Sequence, residues 1–220
     1  MSRRALSEIG PLVLLSVAAA LAFYYLRWTA IPELYQIPVK GAAVGLLAVY
    51  AWARHSSPDA RLLTWALGAA ALGDMAMEVD RTIGGLLFFL FHVLSMGVFL
   101  RHRRPALKGL HSWLAGLTLI LTPVVAWFLT GSGEVVFYAL ALGAMAASAW
   151  ASNFPRYRVG GGALLFVVND VLIFAEMGPL AGHFLPRYMV WPTYYLGMLL
   201  IATGVVQTLR KRDPELRLVG

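Results

Sequence analysis

The sequence predicts an all-α polytopic membrane protein with about eight transmembrane helices and with both termini in the cytoplasm. The first observation is the composition: 60% of the 220 residues are hydrophobic and only 13% are charged, whereas soluble domains carry about 25% charged residues. The other two are a series of apolar runs and a one-sided distribution of Lys and Arg. No polar stretch is long enough for a soluble domain, so we expect a single transmembrane domain over residues 1–220.

Eight apolar runs approach the length of about 20 residues that a helix needs to cross the hydrocarbon core. They cover residues 9–26, 37–53, 62–77, 84–100, 111–129, 134–151, 160–178 and 188–209. The first run has some features of a signal peptide, because Arg3 and Arg4 precede it and alanines follow. Its apolar character continues through Tyr25 and Leu26, so we expect it to remain as the first span.

The basic residues fall mainly on one side of the predicted spans. Cytoplasmic loops are enriched in Lys and Arg, so the side that holds 14 of the 18 basic residues is predicted to be cytoplasmic. The 14 are Arg3, Arg4, Arg54, Arg61, Arg101, Arg103, Arg104, Lys108, Arg156, Arg158, Arg210, Lys211, Arg212 and Arg217. Both termini lie on this side.

Composition also excludes several kinds of site. The chain has no cysteine, so disulfides, thiolate metal sites and cysteine nucleophiles are excluded. The net charge of +7 resides in short loops between apolar runs, a membrane pattern, and no nucleic-acid partner is expected. His92 is the one His inside a predicted span core, which is too few for a three-His zinc site. We expect no metal and no cofactor, although a carboxylate-bound ion remains an alternative.

Four ionisable residues stand out within the predicted spans: Lys40, Asp74, His92 and Asp170. Each costs about 2.5–3.5 kcal/mol in the hydrocarbon, so each is a candidate functional residue. At 1.5 Å per residue, Lys40 and Asp74 lie about 6 Å below the outer end of their spans, and the other two about 12 Å. All four are therefore predicted to line one cavity in the outer half of the bilayer.

Other polar residues reach the same region. Glu78 and Glu176 could form the rim of the cavity, and Tyr194 and Tyr195 reach its depth on the last span. Simpler roles are open for three of the candidates. Lys40 could extend its ammonium group to the outer headgroups, His92 could hydrogen-bond two helices together, and Glu78 could be a solvated loop residue.

Several polar motifs follow one another along the chain: Pro38-Val39-Lys40-Gly41, Gly73-Asp74, the run from Gly85 to His92, the run from Gly162 to Asp170, and Thr193-Tyr194-Tyr195. In this order they resemble the lysoplasmalogenase family of membrane proteins, also called YhhN-like, over roughly residues 37–206. The chain departs from the family pattern at four positions, where Gly41, Ser95, Asn169 and Met198 replace the Pro, Tyr, Ser and Gln that the family tends to have.

The resemblance implies a hydrolase that cleaves the vinyl ether of a lysoplasmalogen, a lysophospholipid, to a fatty aldehyde and a glycerophospho-ethanolamine or -choline. A vinyl ether is cleaved by acid, so the reaction needs one protonated carboxyl group and one ionised carboxylate, as in glycosidases. The resemblance assigns these roles to Asp74 and Asp170. Asp170 is favoured as the acid because it lies deeper and has no evident cation beside it. Lys40 either favours ionisation of a neighbouring carboxylate or binds the substrate phosphate.

We expect the other polar residues of the predicted cavity to bind substrate, and we expect a multi-pass protein of the cell (inner) membrane. Two other classes of function remain open. A small-molecule or lipid transporter could use the buried Asp, Lys and His as ligands, and a membrane scaffold could use them to hold helices together. The residues expected to bind substrate are Lys40, Glu78, His92, Asn169, Glu176, Tyr194 and Tyr195.

Overall fold

The computed structural model describes residues 3–107 and 109–212, with side chains from residue 10 onward. Within these residues the regular structure is helical, and each predicted span corresponds to one helix. Two residues of the charge count, Lys108 and Arg217, lie outside the described residues. The helices are α1 (Arg3–Leu26), α2 (Glu33–Arg54), α3 (Pro58–Ala76), α4 (Arg81–Arg101), α5 (Leu110–Thr130), α6 (Gly133–Ala151), α7 (Gly161–Glu176) and α8 (Phe184–Arg212).

Within the part of the chain that the structure describes, six segments are long and apolar enough to cross a membrane: α2, α4, α5, α6, α8, and α7 together with the turn before it. The apolar part of α1, Gly10–Leu26, is shorter. The prediction of an all-helical, multi-pass membrane protein is therefore confirmed at this level. A total of eight spans, the cytoplasmic termini and the single domain stay predictions.

Individual residues kink the helices or cap their ends. Gly10 (φ 66°) and Pro11 interrupt α1 with a kink, because Pro has no N–H to donate and clashes with the preceding turn. The Asp80 carboxylate accepts from the N–H groups of Thr82 and Ile83 at 2.8 and 3.0 Å and so caps α4. A π-helical turn, Arg156–Gly160, leads directly into α7, where the sequence predicts the end of a loop.

The helices group into two compact units. The first unit contains residues 3–91 and 206–212 of the described chain, and its core lies between α2 and α3. Leu47 and Ala51 of α2 are fully buried there, as are Leu63 and Leu67 of α3. These positions recur every three or four residues, which is the spacing of one helix face.

The second unit contains residues 92–205, which include α5, α6, α7 and most of α8. Its buried residues include Leu142 and Met145 of α6, Phe166 of α7 and Met198 of α8. Helix α5 instead leaves much of its apolar surface uncovered, with Phe128 82% exposed. An apolar face of this kind on a helix of membrane-spanning length is suited to contact with lipid.

Candidate functional site

Asp170, in the middle of α7, is the centre of a buried polar network in the second unit. Its side chain is enclosed, with the residue only 4% exposed. Asn169 Nδ2 donates to one carboxylate oxygen, Asp170 Oδ1, at 2.7 Å. The Tyr138 hydroxyl of α6 donates to the other, Oδ2, at 2.9 Å. Both oxygens of this intramembrane carboxyl group therefore have a neutral hydrogen-bond partner.

Tyr138 also connects Asp170 to His92, which is fully buried on α4. The Tyr138 hydroxyl oxygen lies 3.0 Å from His92 Nε2. His92 Nε2 and Asp170 Oδ2 are 3.9 Å apart, which is too long for a hydrogen bond. The Tyr138 hydroxyl therefore bridges the two ionisable groups through hydrogen bonds.

The hydrogen bonds that link Asp170, Tyr138 and His92 allow two arrangements of protons. With Asp170 ionised, Tyr138 donates to the carboxylate and His92 Nε2–H donates to the phenol oxygen. With Asp170 protonated on Oδ2, the carboxyl group donates to the phenol oxygen, and Tyr138 donates to His92 Nε2. A tyrosine hydroxyl is both donor and acceptor and a neutral imidazole has one nitrogen of each kind, so a proton can leave or reach Asp170 without movement of heavy atoms.

Aromatic rings surround the network. The Phe166 ring meets the His92 ring edge-on at 5.2 Å, and Phe174 meets Tyr138 at 6.2 Å. The ring of Tyr194 lies 5.4 Å from Phe166 in the same edge-on manner, one ring away from His92. The surroundings of the network are therefore apolar.

Close contact between α7 and α8 holds this aromatic layer. A Cβ atom added to Gly197 would lie 2.8 Å from the carbonyl oxygen of Gly162, so only glycine fits there without displacement. Small residues of this kind let transmembrane helices approach closely. The approach places Phe166 of α7 against Tyr194 of α8.

In the first unit the structure pairs two of the predicted residues. Lys40 Nζ lies 2.6 Å from Glu78 Oε1, with side chains 14% and 31% exposed. The Phe23 ring of α1 lies 5.7 Å from the same ammonium group. Lys40 thus forms an ion pair at the end of α3, and Glu78 is its carboxylate partner.

Asp74 lies one helical turn before Glu78 and is buried, with 3% exposure. Glycines bring the neighbouring helices close to it. A Cβ atom on Gly73 would lie 3.2 Å from the Phe88 ring of α4, and one on Gly41 of α2 would lie 2.6 Å from the Met75 side chain. These two glycines therefore allow close helix packing around Asp74.

The structure thus brings the predicted residues together in two groups, each within its own unit. One group contains Lys40, Asp74 and Glu78 at the end of α3. The other contains His92, Asn169 and Asp170, with Tyr194 beside them. That all of these residues line one cavity stays a prediction.

Two predicted residues are placed less centrally. Glu176 is exposed at the end of α7, six residues beyond Asp170. Tyr195 is half-buried and stacks on Trp191 with ring centroids 6.3 Å apart. A rim role for Glu176 and substrate binding by Tyr195 stay predictions.

Tyr138 is the member of this polar network that the sequence does not predict. Its only signal is a hydroxyl within the apolar run of α6, one turn after Glu134. Tyrosine is typical of membrane interfaces, so a tyrosine near a predicted helix end does not stand out as an internal polar group. Its partner His92 is 46 residues away in the chain, and hydropathy does not indicate which helix faces which.

Comparison with known proteins identifies one family. The sequence model of the YhhN family matches residues 35–205, a range that includes every predicted site residue. No curated protein and no solved structure matches the chain.

Proposed function

Because the chain belongs to the YhhN family, we propose that it is a membrane-embedded hydrolase that cleaves the vinyl ether of lysoplasmalogens. The observation that carries this proposal is the buried chain Asp170–Tyr138–His92. It offers a carboxyl group that can give and regain a proton within apolar surroundings. Vinyl ethers need such an acid, and a lipid substrate needs such surroundings.

In the proposed reaction Asp170, in its acid form, donates its proton to the vinyl carbon that is not bound to oxygen. The double bond supplies the electron pair for the new C–H bond, and the carbon next to the ether oxygen becomes an oxocarbenium ion. Water adds to that carbon and loses a proton, which gives a hemiacetal. The hemiacetal collapses to a fatty aldehyde and releases the glycerol hydroxyl, so the net change is the addition of one water.

The neighbours of Asp170 support both halves of this cycle. After the proton has left, the Asp170 carboxylate accepts hydrogen bonds from Asn169 Nδ2 and from the Tyr138 hydroxyl. Hydrogen bonds to a charged group are stronger than neutral ones, so they stabilise the product form of the acid. The proton that water releases returns to Asp170 through His92 and Tyr138, whose hydrogen bonds reverse direction.

Asn169 also has an atom suited to the substrate. Its Oδ1 is buried and accepts no hydrogen bond from any described residue. We propose that it accepts from the attacking water or from the free hydroxyl of the lysolipid glycerol. Either use would place a polar group of the reaction next to Asp170.

The roles of the first-unit residues are proposed from the family resemblance. Asp74 is proposed as the second carboxyl group, ionised during the reaction, and Lys40 as a ligand of the substrate phosphate. A guanidinium or ammonium group is a common phosphate ligand, and Glu78 would hold the Lys40 side chain in place when substrate is absent.

The test is aldehyde release by the purified protein in detergent. A lysoplasmalogen is compared with the matched lysolipid whose ether is saturated and with the matched 1-acyl lysolipid. We expect aldehyde from the vinyl ether only, and we expect Asp170→Asn to lower turnover by at least about 10²-fold, the lower bound for positioned proton transfer. Release of fatty acid from the acyl lipid with no cleavage of the vinyl ether would show a different hydrolase, and near-native turnover in folded Asp170→Asn would remove Asp170 from the mechanism.

A further inference from the structure

The basic residues of the second unit concentrate at one end of its helices. Of its seven Lys and Arg residues, six lie within residues 101–108 and 156–158. Its three acids lie elsewhere: Glu134 begins α6, Asp170 lies within α7, and Glu176 ends α7. This end, predicted to be cytoplasmic, therefore carries positive charge without a carboxylate of its own unit.

The two basic loops are fixed to each other. The backbone N–H of Asn153 donates to the carbonyl of His102 at 2.7 Å, and that of Arg104 donates to Ala151 at 3.2 Å. The Arg104 guanidinium donates to the carbonyl of Phe154 at 3.2 Å. Arg104 is therefore held by its backbone and by its side chain.

Arg156 lies close to this fixed arginine. Its guanidinium carbon is 5.9 Å from the centre of the Trp150 ring, within the range of a cation–π contact. Burial and the nearby Arg156 guanidinium both lower the pKa of Arg104. Two like charges are thus held together, an arrangement that an anion between them would stabilise.

Three buried nitrogens at the same place have no hydrogen-bond partner among the described residues: Trp150 Nε1, Arg156 Nε and His111 Nδ1. The His111 ring, at the start of α5, lies 6.0 Å from the Trp150 ring. Trp150 Nε1 and Arg156 Nε are donors only, and His111 Nδ1 can donate when protonated or in one tautomer. A buried donor without an acceptor costs free energy, so these groups favour an acceptor supplied from outside the chain.

We propose that Arg104, His111, Trp150 and Arg156 form a binding site for a phosphate group at the predicted cytoplasmic end of α5 and α6. Guanidinium groups bind phosphate oxygens in a bidentate manner, and basic pockets between transmembrane helices bind lipid headgroups. The Tyr157 side chain, 82% exposed, lies beside the site with its ring 6.4 Å from that of Trp150. The phosphate belongs either to an anionic phospholipid of the membrane or to free phosphate.

Trp150→Phe distinguishes binding at this site from non-specific attraction between a positive surface and anionic lipid. The substitution removes the indole N–H and changes no charge, and Trp113→Phe, at an exposed tryptophan of α5, is its matched control. Binding of phosphatidylglycerol and of phosphatidylcholine to the delipidated full chain is measured by native mass spectrometry. We expect Trp150→Phe to weaken phosphatidylglycerol binding severalfold and Trp113→Phe to leave it unchanged.

Arginine variants provide the second measurement. Loss of any basic residue near a membrane surface weakens binding of anionic lipid by about fivefold, from about 1 kcal/mol per charge. Arg156→Gln should weaken binding by more than about fivefold, because it removes a ligand of the site as well as a charge, whereas Arg187→Gln, at the other end of the unit, should weaken it by no more than about fivefold. If Trp150→Phe does not fold, Arg156→Lys, which keeps the charge and loses the planar fork, takes its place.

Inorganic phosphate distinguishes the two sources of the ligand. If phosphate raises the unfolding temperature of the wild type but not of Trp150→Phe, the site binds free phosphate. If only phosphatidylglycerol binding depends on Trp150, the site binds lipid. Equal binding of phosphatidylglycerol by wild type, Trp150→Phe and Arg156→Lys, with no effect of phosphate, would overturn the proposal.

Discussion

Tyr138→Phe removes one oxygen atom from the centre of the polar network and leaves the aromatic ring. The ring packs edge-on against His92 at 5.2 Å and against Phe174 at 6.2 Å, and phenylalanine can keep both contacts. What is lost is the hydroxyl that donates to Asp170 Oδ2 and lies 3.0 Å from His92 Nε2. The substitution therefore tests the hydrogen bonds separately from the packing.

The expected loss follows from these distances. Without the hydroxyl, His92 Nε2 and Asp170 Oδ2 remain 3.9 Å apart, and neither gains a direct partner at hydrogen-bond distance. Leaving a buried polar group without its partner costs about 1–3 kcal/mol. If this cost destabilises the Asp170 carboxylate that forms once the proton has moved to the substrate, turnover decreases by about 5- to 150-fold, at 1.36 kcal/mol per factor of ten.

The assay is the initial rate of aldehyde release from a lysoplasmalogen over a range of substrate concentrations. The expected decrease is in kcat, because the hydroxyl acts on the acid and has no assigned contact with the headgroup. Tyr35→Phe, at an exposed tyrosine in the first turn of α2, is the matched control and should keep the native rate. Native kcat in a folded Tyr138→Phe protein would refute the proton path through Tyr138.

Three further predictions concern the first unit, the helix contact and the orientation. Lys40→Gln should raise KM more than it lowers kcat, because a phosphate ligand contributes mainly binding that ground state and transition state share; a fall in kcat alone would contradict this. Gly197→Ala should lower stability by about 1–3 kcal/mol through overpacking, whereas Gly161→Ala, with nothing within 4 Å of the added Cβ, should not, as measured by thermal unfolding in detergent. In the chain without native cysteine, an impermeant thiol reagent outside the cell should label a cysteine at Ser132 and miss one at Ser57; the reverse labelling would contradict the orientation.

The apolar runs predicted the helices well, and their ends less well, for a physical reason. Hydropathy marks the part of a helix that is suited to lipid, while backbone hydrogen bonds continue into the polar regions on either side. Helix α8 illustrates this, since it runs from Phe184 to Arg212 and the apolar run covers only residues 188–209. The π-helical turn before α7 has no hydropathy signal at all.

The sequence indicates those candidate site residues that are polar within an otherwise apolar run. Asp170, His92 and Asn169 meet in the second unit, as expected of costly intramembrane groups, and Tyr138, which joins them, was missed. The sequence did not predict the pairing of Lys40 with Glu78. Pairings of this kind depend on helix rotation and contact, which glycines such as Gly197 set through tertiary packing.

Deuterium incorporation tests the central claim most directly, because acid cleavage of a vinyl ether places a solvent proton on carbon. The protein is incubated with a lysoplasmalogen in heavy water, and the aldehyde is trapped at once and analysed by mass spectrometry. We predict one deuterium on the carbon next to the aldehyde group, formed at a rate that Asp170→Asn lowers by at least about 10²-fold. An aldehyde without deuterium at that carbon, or labelled product formed equally fast by folded Asp170→Asn, would contradict protonation by Asp170.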